Sequence, residues 1–152
     1  MNIFKTNLTV LLIVSSMAIL HSKEIVSLDI LFEKYECIIS DFKLVKPDFN
    51  QYPEFKKFKT RMSKACEEGV NFANIYTIVT WGCGTNCQNS ILVDRTNGKI
   101  YDGITSTYGV NFRIDSQLIV VNDATNVSES STPLDTTRYY VINEGELEEI
   151  IP

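Results

Sequence analysis

The spacing of apolar positions changes character twice along the chain. Leu8 to Leu20 is an almost unbroken apolar run. From Lys23 to Lys43 the apolar residues thin out to Leu28, Leu31, Tyr35, Ile38 and Phe42. Those steps of three and four gather them on one face of a predicted helix. The turn-prone stretch Lys46-Pro47-Asp48-Phe49-Asn50 then breaks the pattern. A second helix is predicted from Pro53, which suits the first helical position, with Glu54 at the positive end of the dipole and Gly69 placed to stop it. Its apolar face is Phe55, Phe58, Met62 and Ala65, with Cys66 alongside.

Beyond Gly69 the period falls to two. Asn74 to Trp81 is rich in β-branched and aromatic residues, and both alternating faces are largely apolar, as in a central strand covered on two sides. Ser90 to Asp94 predicts a second strand, Arg95-Thr96-Asn97-Gly98 a hairpin turn, and Lys99 to Tyr101 the returning strand. Gln117 to Val121 and Arg138 to Ile142 add two more, and Glu144-Gly145 turns the chain into a short tail. The polar stretch Asn122 to Thr136 reads as a long exposed loop. The expected fold class is α+β, with two N-terminal helices packed on an antiparallel sheet of about four to six strands.

The apolar run changes how the first residues are read. Lys5, the run itself and the small residues Ser15, Ser16 and Ala18 have the layout of a secretory signal peptide, and the run is short for a membrane-spanning helix. Residues 1–22 are therefore expected to be a leader and residues 23–152 a single disulfide-containing domain. The expected location is periplasmic or secreted, with membrane attachment only through an uncleaved leader. Removing the leader takes away one cation, Lys5, and moves the net charge from −5 to about −6. Such an acidic domain repels nucleic acid, which excludes that class of partner.

Four cysteines in an exported chain argue for two disulfides. Three pairings exist on paper. Local geometry favours Cys83 with Cys87, which leaves Cys37 with Cys66, one on each predicted helix. That second bridge would close a loop of about 28 residues, worth about 3 kcal/mol on the chain-entropy model.

The single histidine is His21, inside the leader. The mature domain can assemble neither a Ser-His-Asp nor a Cys-His catalytic pair, and it has no imidazole metal ligand. No metal site and no cofactor are expected. The carboxylates Asp94, Asp102, Asp115 and Asp123 leave a two-carboxylate hydrolase open, although their spacing does not single one out.

Trp81-Gly82-Cys83-Gly84-Thr85-Asn86-Cys87-Gln88 is the most distinctive stretch. Two cysteines four apart, among glycines that allow tight backbone angles, can close a small ring at a hairpin tip. Such a ring is either a rigid connection between strands or a pre-ordered loop offered to a partner. In the second case Thr85 and Asn86 supply hydrogen bonds, Trp81 an apolar anchor and Gln88 a further polar contact. Disulfide exchange is a third use, from which the spacing departs, because oxidoreductases use C-x-x-C. Arg113 and Asp115, close to Tyr108 and Phe112, make a second candidate binding group. The cations Lys56, Lys57, Lys59, Arg61 and Lys64 on the second helix form either a solvated face or a contact for an acidic partner.

These residues resemble a family of small exported bacterial proteins of Gram-negative envelopes. The likeness rests on Val70-Asn71-Phe72-Ala73-Asn74-Ile75-Tyr76, on Trp81-Gly82-Cys83-Gly84-Thr85 with Cys87-Gln88, and on Phe112-Arg113-Ile114-Asp115-Ser116-Gln117-Leu118. In the family pattern, NFAGHY…WGCGT-x-CQ…FR-x-DS-x-L, the tyrosine follows Gly-His, where this chain has Asn74-Ile75. The family is uncharacterised, so the resemblance implies an envelope location and no chemistry. Three function classes stay open: a non-enzymatic binding protein of inhibitor or immunity type facing an envelope or secreted protein, a thiol-disulfide protein using Cys83 and Cys87, and a carboxylate hydrolase.

Overall fold

A computed structural model describes residues 27–123 and 137–152. The expected leader lies outside the described residues. The secondary structure is mixed α/β, with two antiparallel sheets. The first sheet contains β1 (Tyr76–Gly84), β2 (Cys87–Asp94) and β3 (Ile100–Asp102) in that order. The second contains β4 (Val110–Phe112), β5 (Leu118–Val121), β6 (Arg138–Asn143) and β7 (Glu146–Ile150), again in sequence order. Both sheets are meanders, so each strand pairs with its neighbour in the chain.

The alternation of side chains explains the layering. In β1 and β2, Tyr76, Ile78 and Leu92 share one face, while Val79, Ile91 and Val93 share the other. Tyr76, Ile78 and Leu92 pack with Ile119 and Val121 of β5 and Ile142 of β6, which places one sheet against the other around Phe72. The outer face of the first sheet packs on Phe55, Met62 and Cys66. These come from a 3-10 turn, η1 (Pro53–Phe58), and a helix continuing from it, here α2 (Lys59–Glu67). The outer face of the second sheet, with Leu118 and Val120, is covered by Leu31 and Phe32 of α1 (Leu28–Lys34). The order is helix, sheet, sheet, helix, and the central strands are apolar on both faces because both faces are covered.

Expectations about the sheet, the helices and the loop after Val121 need correction. The strands form two sheets of three and four strands, where one sheet was expected. The pair of packed N-terminal helices is not supported: α1 and α2 belong to different layers. The first helix ends at Lys34, and Ile38, expected on its buried face, is 88% exposed. Tertiary pairing takes over there: Gln117 N–H donates to the Tyr35 carbonyl (2.9 Å) and Cys37 N–H to the Asp115 carbonyl (2.8 Å). Finally, Asn122 and Asp123, expected to begin an exposed loop, are buried. Asn122 Oδ1 accepts from the backbone N–H of Thr107 (2.8 Å) and Tyr108 (3.0 Å).

The same layering decides the cysteines. Cys83 and Cys87 are bonded, with their Cα atoms 5.1 Å apart. Cys37 and Cys66 are free. Cys66 is buried between α2 and the first sheet, whereas Cys37 packs against the cluster between the sheets, so the expected bridge is absent. The second predicted helix fares better. It begins at Pro53, as a 3-10 turn, and stops before Gly69, whose φ of +106° only glycine adopts readily.

Candidate functional site

Burial in β1 ends at Val79 and in β2 begins at Ser90, so the hairpin between them continues beyond the core as an arm. Residues 82–86 at its end are exposed. Cys83 sits at an irregularity in the strand pairing, between the Gly82–Gln88 and Gly84–Cys87 partners. Gly84 (φ +148°) and Asn86 (φ +52°) supply the left-handed backbone that the tight turn demands, and the disulfide closes it. Thr85 and Asn86 are thus displayed at the tip of a covalently closed loop.

The base of the arm is braced on both sides. Trp81 is paired with Asn89 and lies on the helix-facing side, in line with Val79. Its ring sits 4.7 Å from that of Phe58, and the Arg61 guanidinium lies 5.2 Å from its centroid. Lys57 Nζ in turn lies 5.0 Å from the Phe58 ring. Gln88 is on the opposite side of the hairpin. Its backbone exchanges hydrogen bonds with Ser106, both 2.8 Å, and on the Trp81 side Asn89 Oδ1 accepts from Thr105 Oγ1 at 2.7 Å. The arm therefore presents a cationic and aromatic ledge on one side and a backbone-anchored polar side on the other.

Arg113 and Asp115 are elsewhere. Arg113 Nη1 meets Asp29 Oδ1 at 3.3 Å, its Nε is 3.9 Å from Asp115 Oδ1, and its guanidinium lies 5.1 Å from the Phe32 ring. Both residues belong to the joint between α1 and the second sheet. The expected binding residues thus fall into two groups: Trp81, Thr85, Asn86 and Gln88 on the arm, Arg113 and Asp115 in another layer.

Two contacts give no signal in the sequence. Phe58 and Arg61, three residues apart on adjoining helical turns, were visible as neighbours, but nothing in the sequence says that they meet Trp81. Arg95 was read as a turn residue, yet it is buried and crosslinks four segments. Its Nε donates to the Val45 carbonyl (2.9 Å), and its Nη1 donates to the Cys66 carbonyl (2.8 Å) and Thr77 Oγ1 (3.1 Å), with the Gly69 carbonyl at 3.5 Å.

Electrostatics make the free thiols poor nucleophiles. Burial pushes the Cys37 thiol above its ordinary value, and the Asp115 carboxylate adds to the effect. Burial also raises the Cys66 thiol, against the opposing influence of Arg95 and of a hydrogen bond to Thr77. Among the described residues, no three His, Cys, Asp or Glu side chains are placed to hold a metal ion, and no helix is long and apolar enough to cross a membrane. Comparisons with protein-family models, curated proteins and solved structures return no match.

Proposed function

We propose that the chain is an exported, non-enzymatic binding domain of inhibitor or immunity type, acting in the periplasm or outside the cell through its disulfide-closed hairpin arm. The observation that carries this reading is the exposure of residues 82–86 at the end of a covalently closed loop beyond the core. A loop already ordered in the free protein loses little further entropy on docking. Beside it, the Trp81 ring with Arg61 and Phe58 supplies the aromatic and arginine groups that dominate binding energy at protein interfaces. The lysines and arginine of η1 and α2 favour an acidic partner.

Membership of the envelope family is part of the same proposal. Asn74, which stands where the resembled pattern has glycine, has a φ of +63°, a conformation that glycine and asparagine share. Export is supported by the leader-like first residues and agrees with a disulfide at an exposed tip.

The test places a photo-crosslinking amino acid at Thr85 in intact cells and compares it with one at Ile38, on a different part of the surface. A discrete adduct from position 85, lost when Asn86→Gly and Arg61→Gln are added, supports the reading. Equal adducts from both positions, or from both backgrounds, would return the arm to a structural role. Rapid exchange of Cys83–Cys87 with glutathione would favour the thiol-disulfide class instead.

A further inference from the structure

A cavity of about 510 Å³ opens between the 44–49 segment, α2 and the turn after β2. We propose that it binds a small organic carboxylate, with the carboxylate on Arg95 and the apolar tail against Leu44, Pro47 and Phe49. The proposal needs neither export nor the hairpin arm.

Arg95 carries the argument. It is 4% exposed and lines the cavity. Among the described residues no carboxylate lies within ion-pair distance of it, and each hydrogen bond given above ends on a neutral oxygen. Asp94, next to it in the chain, is engaged by its own turn. Its Oδ1 accepts from Thr96 N–H (2.8 Å) and Thr96 Oγ1 (2.6 Å), and its Oδ2 from Asn97 Nδ2 (2.9 Å). A buried cation without a counter-ion is costly, and an anion arriving from the cavity relieves that cost. Nε and Nη1 are occupied, whereas Nη2 makes no hydrogen bond among the described residues, leaving donors for a planar carboxylate.

The surroundings agree in sign and in polarity. Lys46 and Lys59 share the lining with a single carboxylate, Glu67, so this wall is positive in a chain of net charge −5. Leu44 is 45% exposed there, and Phe49 and Pro47 continue the apolar wall. The volume falls within the usual range for small-molecule sites, roughly 300–1,000 Å³. An inorganic anion would leave the apolar wall unused.

The experiment titrates the ¹⁵N-labelled full chain with hexanoate, with its neutral analogue hexanamide and with inorganic phosphate, at constant ionic strength. Hexanoate is expected to give saturable shifts confined to the amides of Val45, Phe49, Ser63 and Cys66 and to Arg95 Nε–H. Hexanamide and phosphate should each bind at least about tenfold more weakly. Arg95 also supports the fold, so the informative variant is Lys46→Gln with Lys59→Gln, both exposed positions. It should weaken hexanoate about two- to fivefold, in a salt-sensitive way, and leave hexanamide unchanged. Unsaturable or scattered shifts would overturn the proposal. So would equal affinity for hexanoate and hexanamide, or phosphate binding as tight as hexanoate.

Discussion

Two arginines join a helix to a sheet in this molecule, and they do so in opposite environments. Arg95, in the turn after β2, reaches the Cys66 carbonyl in the last turn of α2, the Gly69 carbonyl just beyond it, the Val45 carbonyl of the strap before η1 and Thr77 on β1. Arg113, just after β4, holds α1 through Asp29 and lies over the Phe32 ring, with side-chain exposures of 41% and 81% for the pair. Cations at a helix C-terminus and arginines over aromatic rings are both stabilising. The difference is burial. At the first joint the bonds to Cys66 and Thr77 are buried, so water replaces a lost partner poorly, and at the second the pair is exposed and water replaces it readily. The first joint is therefore expected to be dense and costly to break, and the second adjustable and weak.

The largest expected effect breaks the buried joint. Arg95→Met leaves the Val45 and Cys66 carbonyls without their donor, at a cost of about 3 kcal/mol in urea unfolding. A loss under 1 kcal/mol would show that the guanidinium contacts are not what binds these segments. Met62→Ala, within the same layer and fully buried, should cost a similar amount, about 3 kcal/mol, by opening a cavity under α2. Gly98 tests the strap that Arg95 holds. Its φ is +82°, and a Cβ there would come 2.5 Å from the Lys46 carbonyl oxygen. Gly98→Ala should cost about 2 kcal/mol, against about 1 kcal/mol for Gly69→Ala, where φ is +106° but no atom lies within 4 Å. Equal losses would mean that the strap moves aside freely.

The region between the sheets offers a pH test that neither joint shares. Burial pushes the Tyr76 phenol from its ordinary value of 10 up to about 12, the Asp94 carboxylate and Tyr101 adding to the rise and a Gly145 backbone hydrogen bond opposing it. The folded chain therefore keeps a proton that the unfolded chain releases. This contribution to stability is whole below pH 10 and is lost as pH rises through about 12. Alkaline titration followed by circular dichroism should show a loss of stability over that window, smaller in Tyr76→Phe. Superimposable curves for the two proteins would show that Tyr76 is not the group responsible.

What the sequence showed and what it hid follow the same division between local and distant causes. The second helix is readable because Pro53 and Gly69 are local signals, and the five expected strands appear as β1, β2, β3, β5 and β6, whereas the three-residue β4 is not among those the alternation predicts. The first helix was overextended because its periodicity continues past Lys34, while the hydrogen bonds that end it come from Asp115 and Gln117, some eighty residues away. β7 was read as a tail because Glu146, Glu148 and Glu149 hide its strand character; charge on an edge strand is a known protection against unwanted pairing. The hairpin ring was legible from Cys83 and Cys87. The absence of a Cys37–Cys66 bridge was not, since spacing cannot say which layer each cysteine enters. Arg95 gave no signal at all: a hairpin turn is where a solvent-exposed arginine is ordinarily found.

The smallest expected effect completes the comparison of the two joints. Asp29→Asn removes the charge opposite Arg113 while keeping a side chain of the same size in the first turn of α1. The pair is exposed, so water and salt already weaken the attraction, and measured exposed pairs contribute about 0.2–1 kcal/mol. Asp29 also lies near the positive end of α1, a favourable position that the substitution removes, but that effect is likewise screened. The loss should thus stay below about 1 kcal/mol at low salt and shrink toward zero near 1 M salt, where the screening length falls to about 3 Å. Arg95→Met should keep its full cost at the same salt, because its partners are neutral oxygens. A double variant carrying both changes should lose the sum of the two, as the joints share no partner. Should Asp29→Asn prove as costly as Arg95→Met, or equally insensitive to salt, the contrast drawn between the buried and the exposed joint would be wrong.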